Sequence, residues 1–305
     1  MKTKTNGAPA NFLVVDVGAS TIKWSVASEG SLGKVHRIET KTHSADALLN
    51  QLFGVHSRAS GIEPLPWALC IAGLVDAAHG RVIRSGNLGL KDEPIFDRLA
   101  DLGAPPRFVV NDLTAAAAGE AAGGTMALLQ VGSGLGGRIV VAGAVVSGVH
   151  GYGGELGHLV FVPSGRPCTC GLLGCIEAYA GMTAFRTRYR ELGRTLTSPQ
   201  QIIDDAAVDR EAGRILEEAL RAISFAAAVL VSASDPGIVR LGGGLAAAWG
   251  ERLRAAVERG VSGRVPPELS RGTRVQLSKL RDRAPLLGLL YLAHVAAVSN
   301  GRQSA

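Results

Sequence analysis

His158, Cys168, Cys170 and Cys175 fall inside one short stretch, HGYGGELGHLVFVPSGRPCTCGLLGCIEAYAG, which runs from His150 to Gly181. Three thiols and one imidazole form a complete soft-ligand set for tetrahedral Zn²⁺. If all four bind, no coordination position stays open, so the metal is expected to be structural rather than catalytic. Two carboxylates, Glu155 and Glu177, bracket the ligands, and the many glycines favour a bent chain over a helix. The pattern predicts a metal-pinned loop that presents carboxylates to a ligand. Two disulfides are the other reading of four cysteines. Cys70, however, sits in the apolar run WALCIAGL, which suits a buried strand. No signal-peptide pattern opens MKTKTNGAPAN. A thiolate site in a reducing cytoplasm is therefore expected.

Three glycine turns are the second chemical feature: DVGAS at 16–20, VGSGLGG at 131–137 and LGGGLA at 241–246. Neither a Walker A sequence nor a Rossmann fingerprint fits, because no GK[ST] follows and the first two turns lead into strands. Taken together, paired hairpin turns can aim backbone N–H groups and small hydroxyls at phosphates. Asp16 would stand beside them to hold Mg²⁺ or its waters. The third turn, Gly242-Gly243-Gly244, opens a helix and would lie against a nucleoside. Phosphoryl transfer also needs a base for the hydroxyl nucleophile. Asp112, at the end of the strand RFVVND and the start of DLTAAAAGE, is the candidate; a plain helix N-cap is the competing role at that position.

The elements that must position these groups follow from apolar periodicity. NFLVVDVGASTIKWSVA reads as strand, turn, strand, and GSLGKVHRIET adds a third strand. SADALLNQLFGVHSRA is an amphipathic helix with Ser44 as N-cap. PWALCIAGLVD and RFVVND are buried strands, and a helix begins at Asp112. TMALLQVGSGLGGRIVVAGAVVSG then repeats the opening plan of strand, glycine turn, strand. After the cysteine loop come helices at MTAFRTRYRELG, PQQIIDDAA and DREAGRILEEALRAISFAAAVLVSAS, the last stopped by Pro236. GIVRLGGGLAAAWGERLRAAVERG is strand, turn and helix; RVQLSKL is a last strand before a helix at 284–298. The twice-used plan, near 12–28 and 126–147, predicts two related α/β halves around a cleft. The boundaries expected are a disordered tail at 1–11, a small lobe of 12–112 plus 284–305, and a large lobe of 113–283 carrying the zinc loop. The hinge is placed directly after Asp112.

The 305 residues and 47% apolar content support a substantial core. The formal charge of +6 fits a solvated Arg-rich surface first, and is also compatible with an anionic ligand such as a nucleotide. No Lys/Arg run interleaved with aromatics points to nucleic acid. The longest apolar run, APLLGLLYLAHVAAV, is too short to span a membrane and contains His294.

In combination, these segments resemble the ROK family of sugar kinases and repressors. ELGH followed by CTCGLLGCIE is similar to the family's E-x-G-H and C-x-C-G-x-x-G-C-x-E signature, and DVGAS, GNLGL, NDLTAAAAGE, VGSGLGG and DPGIVRLGGG stand in the family's order. The resemblance implies the actin-like ATPase (ribonuclease H-like) fold, two lobes around a cleft, and a homodimer. It implies ATP-dependent phosphorylation of a sugar hydroxyl, with Mg²⁺ and a structural Zn²⁺. Residue by residue, Asp112 matches the catalytic base. Asn87, Asn111, Glu155, His158 and Glu177 match sugar ligands, and His158, Cys168, Cys170 and Cys175 match the zinc ligands. Asp16, Gly18, Ser20, Thr21, Gly132, Ser133 and Gly134 fall in the phosphate and magnesium region, and Gly242, Gly243 and Gly244 on the nucleotide. His158 would serve twice, one ring nitrogen on zinc and the other on a sugar hydroxyl.

Three departures from the family pattern stand out. DVGAS replaces D-I-G-G-T, Arg138 stands where glycine is frequent, and GNLGL lacks the aromatic that often follows. The expected reaction is transfer to the 6-hydroxyl of glucose or a glucose-like amino sugar, of the kanosamine type for example. A cyclitol or N-acyl amino sugar kinase is the alternative on the same fold. A sugar-responsive repressor would carry a helix-turn-helix, for which the ten or so residues before the first strand are too few.

Overall fold

The computed structural model describes residues 11–41, 44–121 and 124–303. The expected tail at 1–11 lies outside them except for Asn11, which begins the first strand. The chain divides into two compact units, Met1–Gly119 with Ser147–Tyr152 and Arg283–Ala305, and Glu120–Val146 with Gly153–Asp282.

The first unit opens with β1 (Asn11–Val17), β2 (Thr21–Ser28), β3 (Ser31–Leu32) and β4 (His36–Glu39). Helix α1 (Ala45–Ser60) begins at the expected cap, where Ser44 Oγ accepts from the Ala47 amide at 3.1 Å. β5 (Trp67–Ile71), β6 (Leu74–Asp76), β7 (Arg81–Ser85), β8 (Leu90–Glu93), α2 (Ile95–Asp101), β9 (Val109–Asn111) and α3 (Asp112–Glu120) follow. The main sheet has the order β3-β2-β1-β5-β9, with β1–β5 and β5–β9 parallel and β1–β2 antiparallel. Both faces of β1 are covered, so FLVVDV is buried throughout. Leu13, Val15 and Val17 join one core with Trp67, Leu69 and Ile71, which includes α1 and α2 residues. Phe12, Val14, Ala68 and Cys70 point the other way, to Ala115 of α3 and to Leu286 and Leu289 of the C-terminal helix Ala284–Gln303.

Two expectations change here. PWALCIAGLVD is not one strand: the chain breaks at Gly73, and β6 pairs with β7 and β8 in a separate three-stranded meander. The division between units falls at Gly119/Glu120, not after Asp112. The physical reason is the close crossing of α3 and the C-terminal helix. A Cβ added to Gly119 would lie 2.2 Å from the Ala284 carbonyl, and one on Gly288 would lie 1.7 Å from the Ala115 carbonyl. Backbones this near weld α3 to the first unit.

The second unit repeats the plan with β10 (Met126–Val131), β11 (Leu135–Val141) and β12 (Ala144–Val145). Helices α4 (Met182–Glu191), α5 (Pro199–Ala206) and α6 (Arg210–Ser234) precede β13 (Ile238–Gly242), α7 (Gly244–Ser262), α8 (Pro267–Gly272) and β14 (Arg274–Leu277). Its sheet order is β12-β11-β10-β13-β14, with β10–β13 and β13–β14 parallel. The β2-β1-β5 and β11-β10-β13 trios are thus the same design, as the twofold sequence plan anticipates. Ala127, Leu129, Val131, Val239 and Leu241 face a core built from α4, α5, α6 and α7. Ser198 and Asp209 cap α5 and α6, accepting from Gln201 and Ala212 amides at 3.2 and 2.7 Å. Helix α6 ends where Asp235 turns left-handed, just before Pro236. Among the described residues, no helix is long and apolar enough to cross a membrane.

Candidate active site and metal centre

In the first unit the alternation of β1 and β5 brings Asp16 and Cys70 side by side, because they are direct partners in the parallel register. Asp16 is only 4% exposed. Its Oδ2 receives Lys23 Nζ at 3.0 Å, from the residue opposite it in the β1–β2 hairpin, and the Cys70 thiol points at Oδ1 from 3.6 Å. Burial pushes the Cys70 thiol well up, and the charges of Asp16 and Asp112 push it the same way. Cys70 is thus an inert, protonated backing to the carboxylates, as its apolar sequence context suggests. The turn after β1 is braced by Thr40, whose Oγ1 donates to the Gly18 carbonyl at 2.8 Å and whose amide donates to the Ser20 carbonyl at 3.1 Å. Ser20 is exposed at its tip, and Thr21 starts β2.

The bonds at the start of α3 are shared between Asp112, whose Oδ1 accepts from the Leu113 amide at 3.0 Å, and its neighbour. Asn111 Oδ1 accepts from the Leu113 amide at 2.9 Å and the Thr114 amide at 3.1 Å, so Asn111 supplies the larger share of the cap. Asn111 Nδ2 donates to Asp112 Oδ1 at 3.0 Å and to the Gly73 carbonyl at 2.8 Å. Asp112 is half-buried at the first position of α3, where the helix dipole favours its charge. Gly73 in turn packs on Ser85, the residue before the short 3-10 turn Gly86–Leu88 that carries the exposed Asn87. One amide therefore fixes the helix start, the candidate base and the strand end from which Asn87 projects.

In the second unit the two glycine turns meet. A Cβ on Gly132 would reach to 3.9 Å from the Gly244 amide nitrogen. The N-terminus of α4 backs the first of these turns: the Met182 and Thr183 amides donate to the Gly132 and Ser133 carbonyls at 2.9 and 3.0 Å. Gly242, Gly243 and Gly244 lead from β13 into α7, and Gly243 rests on the Val131 backbone, which leaves no space for a side chain. Backbone groups of the two glycine turns thus approach one another in this unit.

The four expected metal ligands also come together. The ligand atoms of His158, Cys168, Cys170 and Cys175 all lie within 4.8 Å of one another. Cys168 Sγ is 3.6 Å from His158 Nδ1, and Cys170 Sγ is 3.6 Å from Cys175 Sγ. Tetrahedral Zn–S bonds of about 2.3 Å give ligand–ligand edges of roughly 3.8 Å, so the donor set fits zinc in chemistry and in spacing. Burial, with the neighbouring Cys170 and Cys168 thiols, pushes Cys175 up to about 12. A cation among these thiols would favour their ionised form. All four cysteines of the chain are free thiols, and Cys70 lies with Asp16 in the first unit, so the disulfide reading falls away.

Glu155 and His158 belong to one 3-10 turn at Leu156–His158, with the His158 amide donating to the Glu155 carbonyl at 3.1 Å. Residues three apart eclipse in this geometry, which explains the E-x-x-H spacing. With Nδ1 toward the thiols, His158 keeps Nε2 for a second partner. Glu177, on the turn Ile176–Ala178 directly after Cys175, reaches the glycine turn before β11, where its Oε2 accepts from the Leu135 amide at 2.9 Å. A Cβ on Gly134 would sit 2.1 Å from that oxygen. The metal loop and the glycine turn are therefore one mechanical piece.

Sequence reasoning missed two charged residues. Lys23 was signalled only by the hairpin register, which sets it opposite Asp16. Arg138 registers in sequence as a departure from a glycine; in the fold it is 1% exposed, with NH1 donating to the Gly137 carbonyl at 2.9 Å and NH2 3.4 Å from Glu155 Oε1.

Comparison with known proteins matches residues 12–296 to the ROK family. A glucokinase from Thermotoga maritima is 30% identical over 90% of this chain and 94% of its own length. The crystal structure of a ROK hexokinase from Thermus thermophilus aligns with a TM-score of 0.78 at 28% identity, covering 95% of this chain and 99% of that one. A ROK family glucokinase from Streptomyces griseus, solved in complex with glucose and AMPPNP, aligns with a TM-score of 0.76 at 25% identity, covering 95% and 99%. The architecture is the actin-like ATPase fold of these kinases.

Proposed function

The chain belongs to the ROK family, and we propose that it transfers the γ-phosphoryl group of ATP to the 6-hydroxyl of glucose or a glucose-like hexose. Its enzymatic class is that of an ATP-dependent sugar kinase, as in its glucokinase relatives. The observation that carries the reading is the division of labour at Asn111 and Asp112. Because Asn111 Oδ1 takes the Leu113 and Thr114 amides at the start of α3, the Asp112 carboxylate, which shares only the Leu113 amide, is oriented without carrying the cap alone. Asp112 accepts the hydroxyl proton as the oxygen attacks phosphorus in line and ADP leaves. Asn87, Asn111, Glu155, His158 Nε2 and Glu177 take the remaining hydroxyls. The turns with Ser20 and Thr21, with Gly132, Ser133 and Gly134, and with Gly242, Gly243 and Gly244 take the nucleotide and its phosphates.

Two metals belong to the reading. Asp16, a buried carboxylate beside a hydroxyl-bearing turn, is the hard oxygen donor for Mg²⁺ or its waters, and Lys23 holds its orientation. Bound Mg²⁺ would neutralise phosphate charge. Zn²⁺ on His158, Cys168, Cys170 and Cys175 would fix the His158 ring and its tautomer. The test is a screen of hexoses with purified protein and ATP, the phosphate position being read by NMR. A 6-phosphate from glucose or a close relative is expected. Deoxy analogues should lose most of kcat/KM, because each missing hydroxyl leaves buried polar groups unpaired. ATP hydrolysis without sugar phosphate, or equal rates on deoxy and parent sugars, would overturn the reading.

A further inference from the structure

Arg138 is among the largest fully buried side chains of the protein, and it is charged. It sits on β11 opposite Leu128, on the sheet face turned away from the Leu129 and Val131 core. A buried guanidinium needs an anion, and its NH2 is 3.4 Å from Glu155 Oε1, while NH1 is anchored on the Gly137 carbonyl at 2.9 Å. The chain makes room for this pair. A Cβ on Gly154 would lie 2.7 Å from Arg138 NH1 and 2.1 Å from the Gly137 carbonyl, and Gly154 has φ +91°. Glu155 itself remains 38% exposed, so one side of the carboxylate meets the arginine while the other can meet a ligand. Among the described residues of the same loop, the ionisable groups beside Glu155 include Glu177, already held by the Leu135 amide, and His158, whose Nδ1 faces the thiols.

We propose that Arg138 is a positioning and specificity residue. It fixes Glu155 as a charge-compensated acceptor, so the sugar position facing Glu155 carries a neutral donor and not an ammonium group. This deepens the assignment of Glu155 as a sugar ligand and rests on it. An isolated carboxylate would attract a cationic amine, but a carboxylate already paired with a buried guanidinium presents little net charge. A hydroxyl, or an amine neutralised by acylation, still receives the hydrogen bond. The inference narrows the amino-sugar expectation: a free amine is tolerated only at carbons that do not face Glu155.

The experiment compares kcat/KM for glucose, 2-amino-2-deoxyglucose and 3-amino-3-deoxyglucose in the wild type, Arg138→Gln and Arg138→Lys, below the pKa of the sugar amines. The wild type should favour glucose over at least one amino sugar. Arg138→Gln should raise that amino-sugar-to-glucose ratio by at least about tenfold, close to the lower limit set by a charge–charge term screened as in bulk water. Arg138→Lys, which keeps the charge, should retain the wild-type order. An equal loss on all three sugars in Arg138→Gln would assign the residue a merely structural role and overturn the proposal. If Arg138→Gln does not fold, the wild type decides alone. Raising the pH through the amine's own pKa should increase kcat/KM for the disfavoured amino sugar relative to glucose, and a decrease would overturn the proposal. Absence of any sugar phosphorylation by the wild type would instead sink the kinase reading beneath it.

Discussion

Asp112 and Asn111 divide between them two tasks that one carboxylate is often asked to share. Two helix-capping bonds go to Asn111 Oδ1, the Leu113 amide being shared with Asp112 Oδ1, and the Asn111 side chain steadies Asp112 through Nδ2. Asp112→Asn should therefore keep the fold while losing the proton acceptor. A fall in kcat of roughly 10²–10⁴-fold with little change in melting temperature is expected, and near-normal kcat with the best sugar would refute the base assignment. Asn111→Ala should do the converse first. Loss of a cap costs about 0.5–2 kcal/mol, so thermal unfolding should show a clear drop along with weakened catalysis from a misaimed Asp112. A variant as stable as the wild type would mean that the cap is dispensable. Cys70 needs neither role: it is a protonated thiol held against Asp16 by parallel register.

Elements, more than single residues, decide how much of this was legible in the chain. The His/Cys cluster was legible because its members are close in sequence and chemically distinctive. The hairpin turns were legible because strand alternation stops at glycines. Arg138 and Lys23 were not, since their partners are set by register and by a loop that returns from elsewhere. The unit boundary was misplaced for a similar reason. A helix beginning at Asp112 looks like a connector until the C-terminal helix is laid across it, glycine to backbone. That crossing makes its own prediction. Gly288→Val would force side-chain atoms into the Ala115 carbonyl, where even a Cβ has only 1.7 Å. Overpacking of this kind costs about 1–3 kcal/mol or more, and chemical denaturation of purified protein should register it. A Gly288→Val protein with unchanged stability would show that α3 and the C-terminal helix can separate without penalty.

At the scale of the whole molecule, each unit has its own sheet and its own apolar core. Stability in such a chain is not one number, and perturbations should stay local where their contacts are local. All four candidate metal ligands belong to the second unit, and the loop that carries them is tied to that unit's glycine turn through Glu177 and the Leu135 amide. The loop has few long strands of its own, only single bridges such as Val160 with Cys175 and Pro167 with Leu173. Without the cation, four soft donors in close contact have little to hold them together, since burial opposes ionisation of Cys175. Removal of zinc by a strong chelator should therefore open residues 155–181 first. Hydrogen exchange read by peptide mass spectrometry should show at least about tenfold faster exchange there, equivalent to about 1.4 kcal/mol of lost local stability. Peptides covering β11 just after the glycine turn should follow to a smaller degree, because Glu177 leaves with the loop. The β1, β5 and β9 strands around Asp16 should exchange as before, since their cores share no residue with the metal site. Uniform loosening of all these strands, or no change in 155–181, would mean that the loop is not a metal-dependent element of the second unit.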